Sequence, residues 1–345
     1  MSNVCQSQSE LVFVEMKQEF LPELASLFER TYKKRRHADH DRHKYYSNPA
    51  GDVIAFCVFD AERMVGFYGI IPCVFRMGKE QVLGAQSVDT MVDPNYQGRG
   101  LFVQLAERVF KLANDREVKL VLGFPNKNSL PGFTRRLGWC DIGEINFYLR
   151  VVSTKNIRRV PRFLKSIVQL LINIIPKGRV GDFSVSKRPV QNAELESLIE
   201  NWSGKIGKDE IFVGRSKAWY QWRYSDKYEV NYMAYIATNK TSTETATIIV
   251  GEKDGMLYMS DALWDTKDAF YAAFRMLIND QGSEGAIGII GMSSNKELSA
   301  ILKSVGFLKY RSLSTIVRPL SFQSLPVNIY DLDNWKLFGG DSDTL

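Results

Sequence analysis

The chain has few cysteines and few histidines, and it lacks any long apolar run. Four cysteines and three histidines occur in 345 residues. The cysteines form no C-x-x-C pair and no other spacing typical of metal ligands, which disfavours a disulfide framework or a zinc ribbon. No stretch reaches the roughly 18 uncharged apolar residues of a spanning helix, and no apolar secretion signal is visible. These absences predict a soluble protein of the reducing cytoplasm.

Acidic residues are scarce in one segment only. The net charge is +6, but nine basic residues and a single acid, Asp182, lie between Lys155 and Arg188. Because the positive charge is local, we expect no general nucleic-acid partner. Residues 157–175 place apolar side chains along one helical face and basic ones off it. This pattern is typical of a linker helix packed on two domains or of a helix lying on an anionic membrane surface.

The most informative stretch joins a predicted strand to a predicted helix through two glycines. Residues 92–101 read Val-Asp-Pro-Asn-Tyr-Gln-Gly-Arg-Gly-Leu. Gly98 and Gly100 can adopt backbone angles closed to other residues, so successive N–H groups can point toward one anion. A helix from about Leu101 to Asn114 would add the positive end of its dipole. The turn is therefore either a phosphate cradle or a tight strand-to-helix connection.

The surrounding residues separate this turn from two common phosphate loops. It lacks the third glycine and the later acid of the Rossmann fingerprint, and it lacks the Gly-Lys-Ser/Thr ending of nucleotide hydrolases. Gln97-x-x-Gly100-x, with Gly98 inside it, instead resembles motif A of the GNAT superfamily of acyl-CoA-dependent N-acetyltransferases. In that family a Q/R-x-x-G-x-G/A loop binds the coenzyme A pyrophosphate. The last glycine or alanine of the pattern is Phe102 here, which crowds the helix start.

The resemblance implies acetyl-CoA as cosubstrate and indicates which residues hold it. Met91 and Val92, on the strand before the turn, would offer backbone N–H groups to the thioester carbonyl. Asn126 and Asn128 fall near the family asparagine that hydrogen-bonds the cofactor. The implied cofactor-binding residues are Met91, Val92, Gln97, Gly98, Arg99, Gly100, Leu101, Phe102, Asn126 and Asn128.

Asp89 is the predicted catalytic residue. It lies two residues before Met91, and hence on the same face of a regular strand. An alkylamine has a pKa near ~10.4, so only about one in a thousand is nucleophilic at neutral pH unless a base removes the proton. Asp89 could be that base, or it could be a strand-end acid paired with a nearby arginine. The tyrosine that often serves as acid in the family is replaced by Thr134.

All three histidines lie between Lys33 and Tyr46. Their spacing of three would bring metal ligands together on a helix, but no cysteine is near and the flanking residues are basic, so we predict no metal site. The run is otherwise a solvated loop or part of acceptor recognition. In the GNAT family this region shapes the acceptor pocket, so the resemblance implies an anionic acceptor contacted by Arg35, Arg36 and Tyr45.

A faint internal repeat predicts a second copy of the same unit. Residues 286–292, 295–305 and Gly306-Phe307 mirror 120–124, 128–137 and Gly138-Trp139. We therefore predict an α/β fold with mixed sheets and two tandem GNAT-like domains. The predicted parts are an acyl-CoA-binding domain at 1–152, a basic amphipathic linker helix at 153–183, a degenerate GNAT-like domain at 184–320 and a C-terminal tail at 321–345. The second copy lacks a glycine loop near Trp264 to Phe270 and is not expected to bind coenzyme A.

Together these features predict an N-acyltransferase that moves an acetyl group from coenzyme A to an amine by direct attack. The tandem layout, with Trp222-Arg223-Tyr224 in the second copy, resembles large GNAT proteins of bacterial surface-polysaccharide pathways, which implies an amino-sugar acceptor. One alternative is a FemAB-like aminoacyl transferase, which also has two GNAT units but needs no coenzyme A loop. Another is a non-catalytic protein that binds coenzyme A or a polymer.

Overall fold

A computed structural model describes most of the chain. The described residues are 10–154, 169, 172, 181–193, 195–204, 207–228, 230–284, 286–321 and 324–342. The predicted linker helix and membrane contact at 157–175 lie outside them, apart from 169 and 172. Among the described residues, no helix is both long and apolar enough to cross a membrane.

The described residues form eight α-helices and thirteen β-strands. In chain order these are β1 (Leu11–Glu15), α1 (Leu21–Tyr32), α2 (Ala38–Tyr46), β2 (Ile54–Asp60), β3 (Arg63–Met77), β4 (Glu80–Val92), α3 (Leu101–Asp115), β5 (Leu120–Gly123), α4 (Leu130–Arg136), β6 (Cys140–Val151), β7 (Phe183–Pro189), α5 (Glu196–Gly204), β8 (Ile211–Val213), α6 (Lys217–Arg223), β9 (Tyr232–Asn239), β10 (Thr245–Lys253), β11 (Met256–Trp264), α7 (Lys267–Glu284), β12 (Gly288–Ser293), α8 (Lys296–Ser304) and β13 (Leu308–Pro319).

Internal contacts divide the chain into two units, and both are discontinuous in sequence. Unit 1 comprises Met1–Val74, Val82–Asp141 and Ile316–Ser324. Unit 2 comprises Phe75–Gln81, Ile142–Thr315 and Leu325–Leu345.

The sheet of unit 1 is mixed, with the strand order β1-β2-β3-β4-β5 and then the end of β13. β4 and β5 are parallel, and Ile316–Pro319 of β13 pair antiparallel with β5. Helix α3 covers this sheet because its apolar residues recur with helical spacing. The buried residues of α3 are Leu101, Leu105, Ala106, Val109, Phe110 and Ala113.

The sheet of unit 2 repeats the same order with a second set of strands. β7, β9, β10, β11 and β12 follow one another across the sheet, and β6 lies beside β12. β11 and β12 are parallel, whereas β12 and β6 are antiparallel. Gly138 and Gly306, which end the corresponding helices, both have positive φ, of +66° and +82°. The two-copy α/β arrangement predicted from the sequence is therefore present.

Each unit is completed by a strand that comes from the other half of the sequence. The sixth strand of unit 1 is the end of β13, and that of unit 2 is β6 from Ile142 onward. The predicted boundaries at 152 and 184 follow the repeat in the sequence, whereas these units follow the strand pairing. Hydrophobic patterning could not predict these pairings, because it identifies a strand but not the neighbour of that strand in the sheet.

A chain cut after residue 152 should not fold cooperatively. It lacks Ile316 and Val317, which are fully buried against β5. Their burial is worth about 3–6 kcal/mol together, a large part of the roughly 5–15 kcal/mol that holds a domain folded. We expect no cooperative transition by circular dichroism on heating, and we expect a 316–324 peptide to restore one. A fragment that melts as sharply as the full chain would contradict this strand requirement.

Candidate active site

The glycine turn is exposed and projects from the start of α3. A 3-10 turn at Pro94–Tyr96 precedes it, and Gln97, Gly98, Arg99 and Gly100 are all exposed. Gly98 and Gly100 have φ of +78° and +75°, in the left-handed region that favours glycine. Gly100 is the residue that caps α3, and it offers no side chain to the first turn. The turn therefore leaves the positive end of the helix open to solvent.

The backbone of the turn keeps its hydrogen-bond donors free. The N–H of Tyr96 donates to Asp93 O, and the next backbone bond runs from Gln104 N–H to Gly100 O. Between them, within the described part of the chain, the N–H groups of Gly98, Arg99 and Gly100 donate to no protein acceptor. A Cβ placed on Gly98 would meet no atom within 4 Å. The turn thus has both the donors and the open space that a phosphate group requires.

A buried carboxylate anchors the root of the turn. Asp93 is 1% exposed and accepts hydrogen bonds from Arg30 Nε at 2.8 Å, Arg63 Nη2 at 2.8 Å and Asn95 N–H at 3.1 Å. Burial by itself would raise the pKa of Asp93, but these hydrogen bonds outweigh it and the pKa is lowered. Asp93 therefore stays ionised and fixes where the strand turns into the loop.

Phe102 points into the core of unit 1. Its ring lies 5.1 Å from the ring of Phe133 in a T-shaped arrangement and 6.3 Å from that of Tyr68. Gly132 of α4 makes room for it, since a Cβ there would lie 3.1 Å from the Phe102 ring. The departure from the family pattern is thus accommodated between α3 and α4, and the N–H groups of the turn stay accessible.

The end of β4 extends beyond its pairing with β5. The paired residues are Ala85–Val121 and Gln86–Leu122, whereas β4 continues to Val92. The edge of residues 87–92 that faces β5 therefore has no parallel partner strand. Met91 and Val92 lie in this stretch, next to the glycine turn; Met91 is 1% exposed and Val92 is half-buried. An extended ligand can add to such an open edge as a strand would.

Asn126 and Asn128 lie at the exposed start of α4. The side-chain oxygen of Asn126 accepts the N–H groups of Asn128 at 2.9 Å and Ser129 at 3.0 Å. Asn126 therefore organises the turn that leads into α4, and its side-chain oxygen already accepts two hydrogen bonds from the backbone. Thr134, at the family's tyrosine position, donates its hydroxyl to Leu130 O within the helix at 3.0 Å.

Asp89 is the centre of a buried ionic cluster between α2 and β4. It accepts a hydrogen bond from Lys44 Nζ at 2.8 Å and contacts Arg36 Nη1 at 3.1 Å through both carboxylate oxygens. The Tyr45 hydroxyl also donates to it. Arg36 Nε pairs in addition with Asp41 Oδ1 at 2.6 Å. We call Arg36, Asp41, Lys44, Tyr45 and Asp89 the α2 cluster.

The α2 cluster favours the paired-acid interpretation of Asp89 over the general-base one. Burial by itself would raise the pKa of Asp89, but the charges of Lys44 and Arg36 hold it well below its usual range. A carboxylate whose charge is held by two cations is a weak proton acceptor. The backbone at Asp89 has φ of +30°, so the regular alternation assumed for Asp89 and Met91 is interrupted there.

The three residues predicted to bind the acceptor do not stay together. Arg36 and Tyr45 belong to the α2 cluster, whereas the side chain of Arg35 is 89% exposed and pairs with Glu29.

Sequence reasoning missed Asp41 and Lys44. The available signal was the position of Asp41, three residues before Lys44 and four before Tyr45 on a helix. However, α2 is polar nearly all round and gives no amphipathic pattern. His40 and His43 lie on α2, and no group of three or more metal-ligating side chains occurs among the residues described.

Comparison with known proteins identifies the domain at the start of the chain. Residues 13–141 match the family model of the acetyltransferase (GNAT) domain. Among curated proteins, none matches the chain.

Solved structures show the same fold over most of the chain. A GCN5-related N-acetyltransferase from Anabaena variabilis ATCC 29413 is 12% identical, with a TM-score of 0.65 over 90% of this chain and 73% of that one. A probable N-acyltransferase from Enterococcus faecalis V583 is 12% identical, with a TM-score of 0.66 over 90% and 72%. A tandem GNAT protein from the clavulanic acid biosynthesis pathway is 11% identical, with a TM-score of 0.59 over 91% and 100%. At these identities the likeness concerns the fold.

Residues 13–141 therefore form an acetyltransferase (GNAT) domain, and the chain is an acyltransferase. Its fold is that of a tandem GNAT protein, with the glycine turn in the first copy.

Proposed function

We propose that this protein is an N-acyltransferase that moves an acetyl group from acetyl-CoA to an amine by direct attack. The observation that carries the proposal is the juxtaposition of two features of unit 1. Free N–H groups at Gly98, Arg99 and Gly100 lie directly after a strand whose last residues have no partner on one edge. A diphosphate bound at the turn would leave the attached arm to extend along that edge.

The turn is proposed to hold the pyrophosphate. The N–H groups of residues 98–100 and the first turn of α3 supply donors and a positive dipole end. Arg99 is exposed on the same turn, with its guanidinium 4.7 Å from the centre of the Tyr96 ring, and it adds a positive charge. Gln97 is held by its side-chain hydrogen bond to Val92 O at 3.3 Å, which ties the turn to the end of β4.

The end of β4 is proposed to orient the reacting carbonyl. Acetyl-CoA, when bound, supplies an acyl group activated as a thioester. The Asp93 N–H donates to Val65 O of β3, so the N–H of Val92 points to the opposite, open edge. There it would donate to the thioester carbonyl oxygen, where negative charge develops during attack. The buried side chain of Met91 keeps this stretch of backbone fixed, which is what such stabilisation requires.

Asp89 is proposed to act as a positioning residue. Its carboxylate is shared among Arg36, Lys44 and Tyr45, so it holds α2 against β4 rather than accepting the proton of the amine. In this proposal the attacking amine gives up its proton to solvent, and the departing thiolate is protonated from solvent.

The proposed acceptor is an amino sugar. This choice is supported by the resemblance of the tandem layout to GNAT proteins of surface-polysaccharide pathways. The glycine turn supports coenzyme A, because a FemAB-like transferase has no need of it.

Release of free thiol from acetyl-CoA tests the proposal. Protein and acetyl-CoA are mixed with a panel of amino sugars and simple alkylamines, and the coenzyme A thiol is measured with a disulfide reagent. We expect release above the acceptor-free rate, and we expect amino sugars to exceed alkylamines. Tight binding of coenzyme A without release for any acceptor would instead identify a non-catalytic binding protein.

A further inference from the structure

In the second copy, as at the end of β4, two parallel strands stop pairing before the longer one ends. We call the open edge that results a wedge. β11 and β12 pair in parallel from Met256–Gly288 to Met259–Gly291. β11 then continues to Trp264, after a register shift in its pairing with β10 between Ile249 and Val250. In both copies the fourth strand therefore extends past the end of its parallel pairing. In unit 1 this is the place proposed for the arm of coenzyme A.

In unit 2 the wedge is filled by residues 335–342 of the same chain, which we call the tail segment. Leu337 N–H donates to Ser294 Oγ at 2.8 Å, and Ser294 N–H donates to Leu337 O at 3.1 Å. Phe338 forms an antiparallel bridge with Ser293, the last residue of β12. The turn Gly339–Asp341 then lies against both β11 and β12.

The fit of the tail segment is tight. Leu337, Phe338, Gly339, Gly340, Asp341 and Ser342 are all buried. A Cβ on Gly340 would clash with the Tyr224 hydroxyl and would lie 3.0 Å from Ser260 O of β11, so a larger residue does not fit there without a shift of its neighbours. Arg223 donates to Gly340 O at 2.7 Å and to Ser342 O at 3.1 Å, which fixes the backbone on the other side.

The tail segment also completes a buried ionic cluster that resembles the α2 cluster. Arg215 pairs with Asp341 at 2.6 Å and with Asp261 at 2.9 Å, and the Tyr220 hydroxyl donates to Asp261 at 3.0 Å. Asp261 lies three residues before the end of β11, as Asp89 does before the end of β4. Each cluster thus joins an arginine, a tyrosine and two aspartates. In the second, one aspartate comes from the tail segment.

The start of α7 is capped by a side chain, whereas the start of α3 at the glycine turn is not. A capped helix start has fewer free N–H groups for a phosphate. Thr266 precedes it, and the Thr266 Oγ1 accepts the N–H of Ala269 at 3.3 Å. The N–H of Phe270 donates to Thr266 O at 3.1 Å. At this helix start a side chain caps the first turn, whereas Gly100 leaves the first turn of α3 open.

We infer that the tail segment is a permanent intramolecular occupant of the coenzyme A cleft of the second copy. Residues 337–341 lie where the arm of the cofactor would extend, and Asp341 binds them there through Arg215. The second copy accordingly binds no coenzyme A, and the chain has one cofactor site. This inference goes beyond the proposed function, because it concerns the copy that lacks the glycine turn.

Hydrogen exchange on the intact protein, with and without coenzyme A, tests the inference. The amides of Leu337, Phe338 and Asp341 should be protected at least about a hundredfold, and saturating coenzyme A should leave that protection unchanged. Equilibrium dialysis should give one coenzyme A per chain. Rapid exchange of the tail segment, its release by coenzyme A, or two bound molecules per chain would each overturn the inference. If no coenzyme A binds, the proposed function fails, whereas the protection of these amides still tests the occupancy of the cleft.

A pair of glycine substitutions provides the variant test. Gly340→Val should expel the tail segment and remove the protection of Leu337 and Phe338, while the amides of α3 in unit 1 stay protected. Gly204→Ala is the matched control, because a Cβ there meets no atom within 4 Å. Retained protection of the tail segment in Gly340→Val would show that it does not occupy the tight cleft described here.

Discussion

Gly100→Asp should weaken coenzyme A binding by about ten- to a hundredfold. The substitution places a carboxylate at the start of α3, beside the N–H groups proposed to bind the pyrophosphate. Two like charges about 5 Å apart repel by about 1–3 kcal/mol at effective dielectric constants between water and a protein surface. Isothermal titration with coenzyme A measures the change in dissociation constant.

Gly100→Asn is the control that isolates the charge. Asparagine and aspartate have nearly the same shape, and both tolerate the left-handed backbone found at Gly100, where φ is +75°. A Cβ at this position meets only Gln104 Nε2 at 3.8 Å, so neither variant should disturb the fold. Equal affinity for coenzyme A in the two variants would remove the pyrophosphate from this turn.

Asp89→Asn should destabilise the protein by about 3–5 kcal/mol. The variant removes the carboxylate that the buried cations of Arg36 and Lys44 share, and breaking a buried ion pair from one side carries a cost of this size. The side chains of Arg36 and Lys44 are 11% and 4% exposed, so water cannot replace the lost partner. The measurement is urea unfolding followed by circular dichroism.

Asp39→Asn is the matched control for this variant. Its side chain is 77% exposed on the same helix and faces Arg42 at 3.7 Å, so the free energy of unfolding should change by no more than about 0.5 kcal/mol. An Asp89→Asn protein with unchanged stability and abolished turnover would instead support the general-base role.

The pH dependence of stability follows from the lowered pKa of Asp89. Because the folded pKa lies well below the unfolded value of about 3.9, the carboxylate stabilises the fold fully at pH values above that unfolded value. This contribution is lost only as the pH falls toward the folded pKa. The ionisation of Asp89 should therefore leave no limb in the profile of kcat/KM between pH 5 and 8.

Much of the first copy could be predicted from sequence. The strands near 53–59, 64–75 and 81–92 and the helix from Leu101 are present with small shifts at their ends. They have strong local signals: alternating or continuous apolar residues, and a Gly-Arg-Gly turn before an amphipathic helix. The positive φ of both glycines in the turn follows from the same local chemistry.

The environment of Asp89 was less predictable. The sequence offered a strand acid with two interpretations, and the choice depended on which cations approach it. Arg36 and Lys44 are 53 and 45 residues away along the chain, and they reach Asp89 only because α2 packs near β4. A positive φ at Asp89 also breaks the alternation from which its orientation was inferred.

The sequence by itself determined the first-copy elements named above and the Gly-Arg-Gly turn before α3, because backbone angles, capping and hydrophobic period are settled by neighbouring residues. Only the tertiary structure decided which strand completes each sheet, what charge surrounds Asp89 and what fills the cleft of the second copy. These features depend on contacts between residues far apart in the chain. Many pairings of similar apolar strands satisfy the same local pattern, and only the energy of the whole fold selects one.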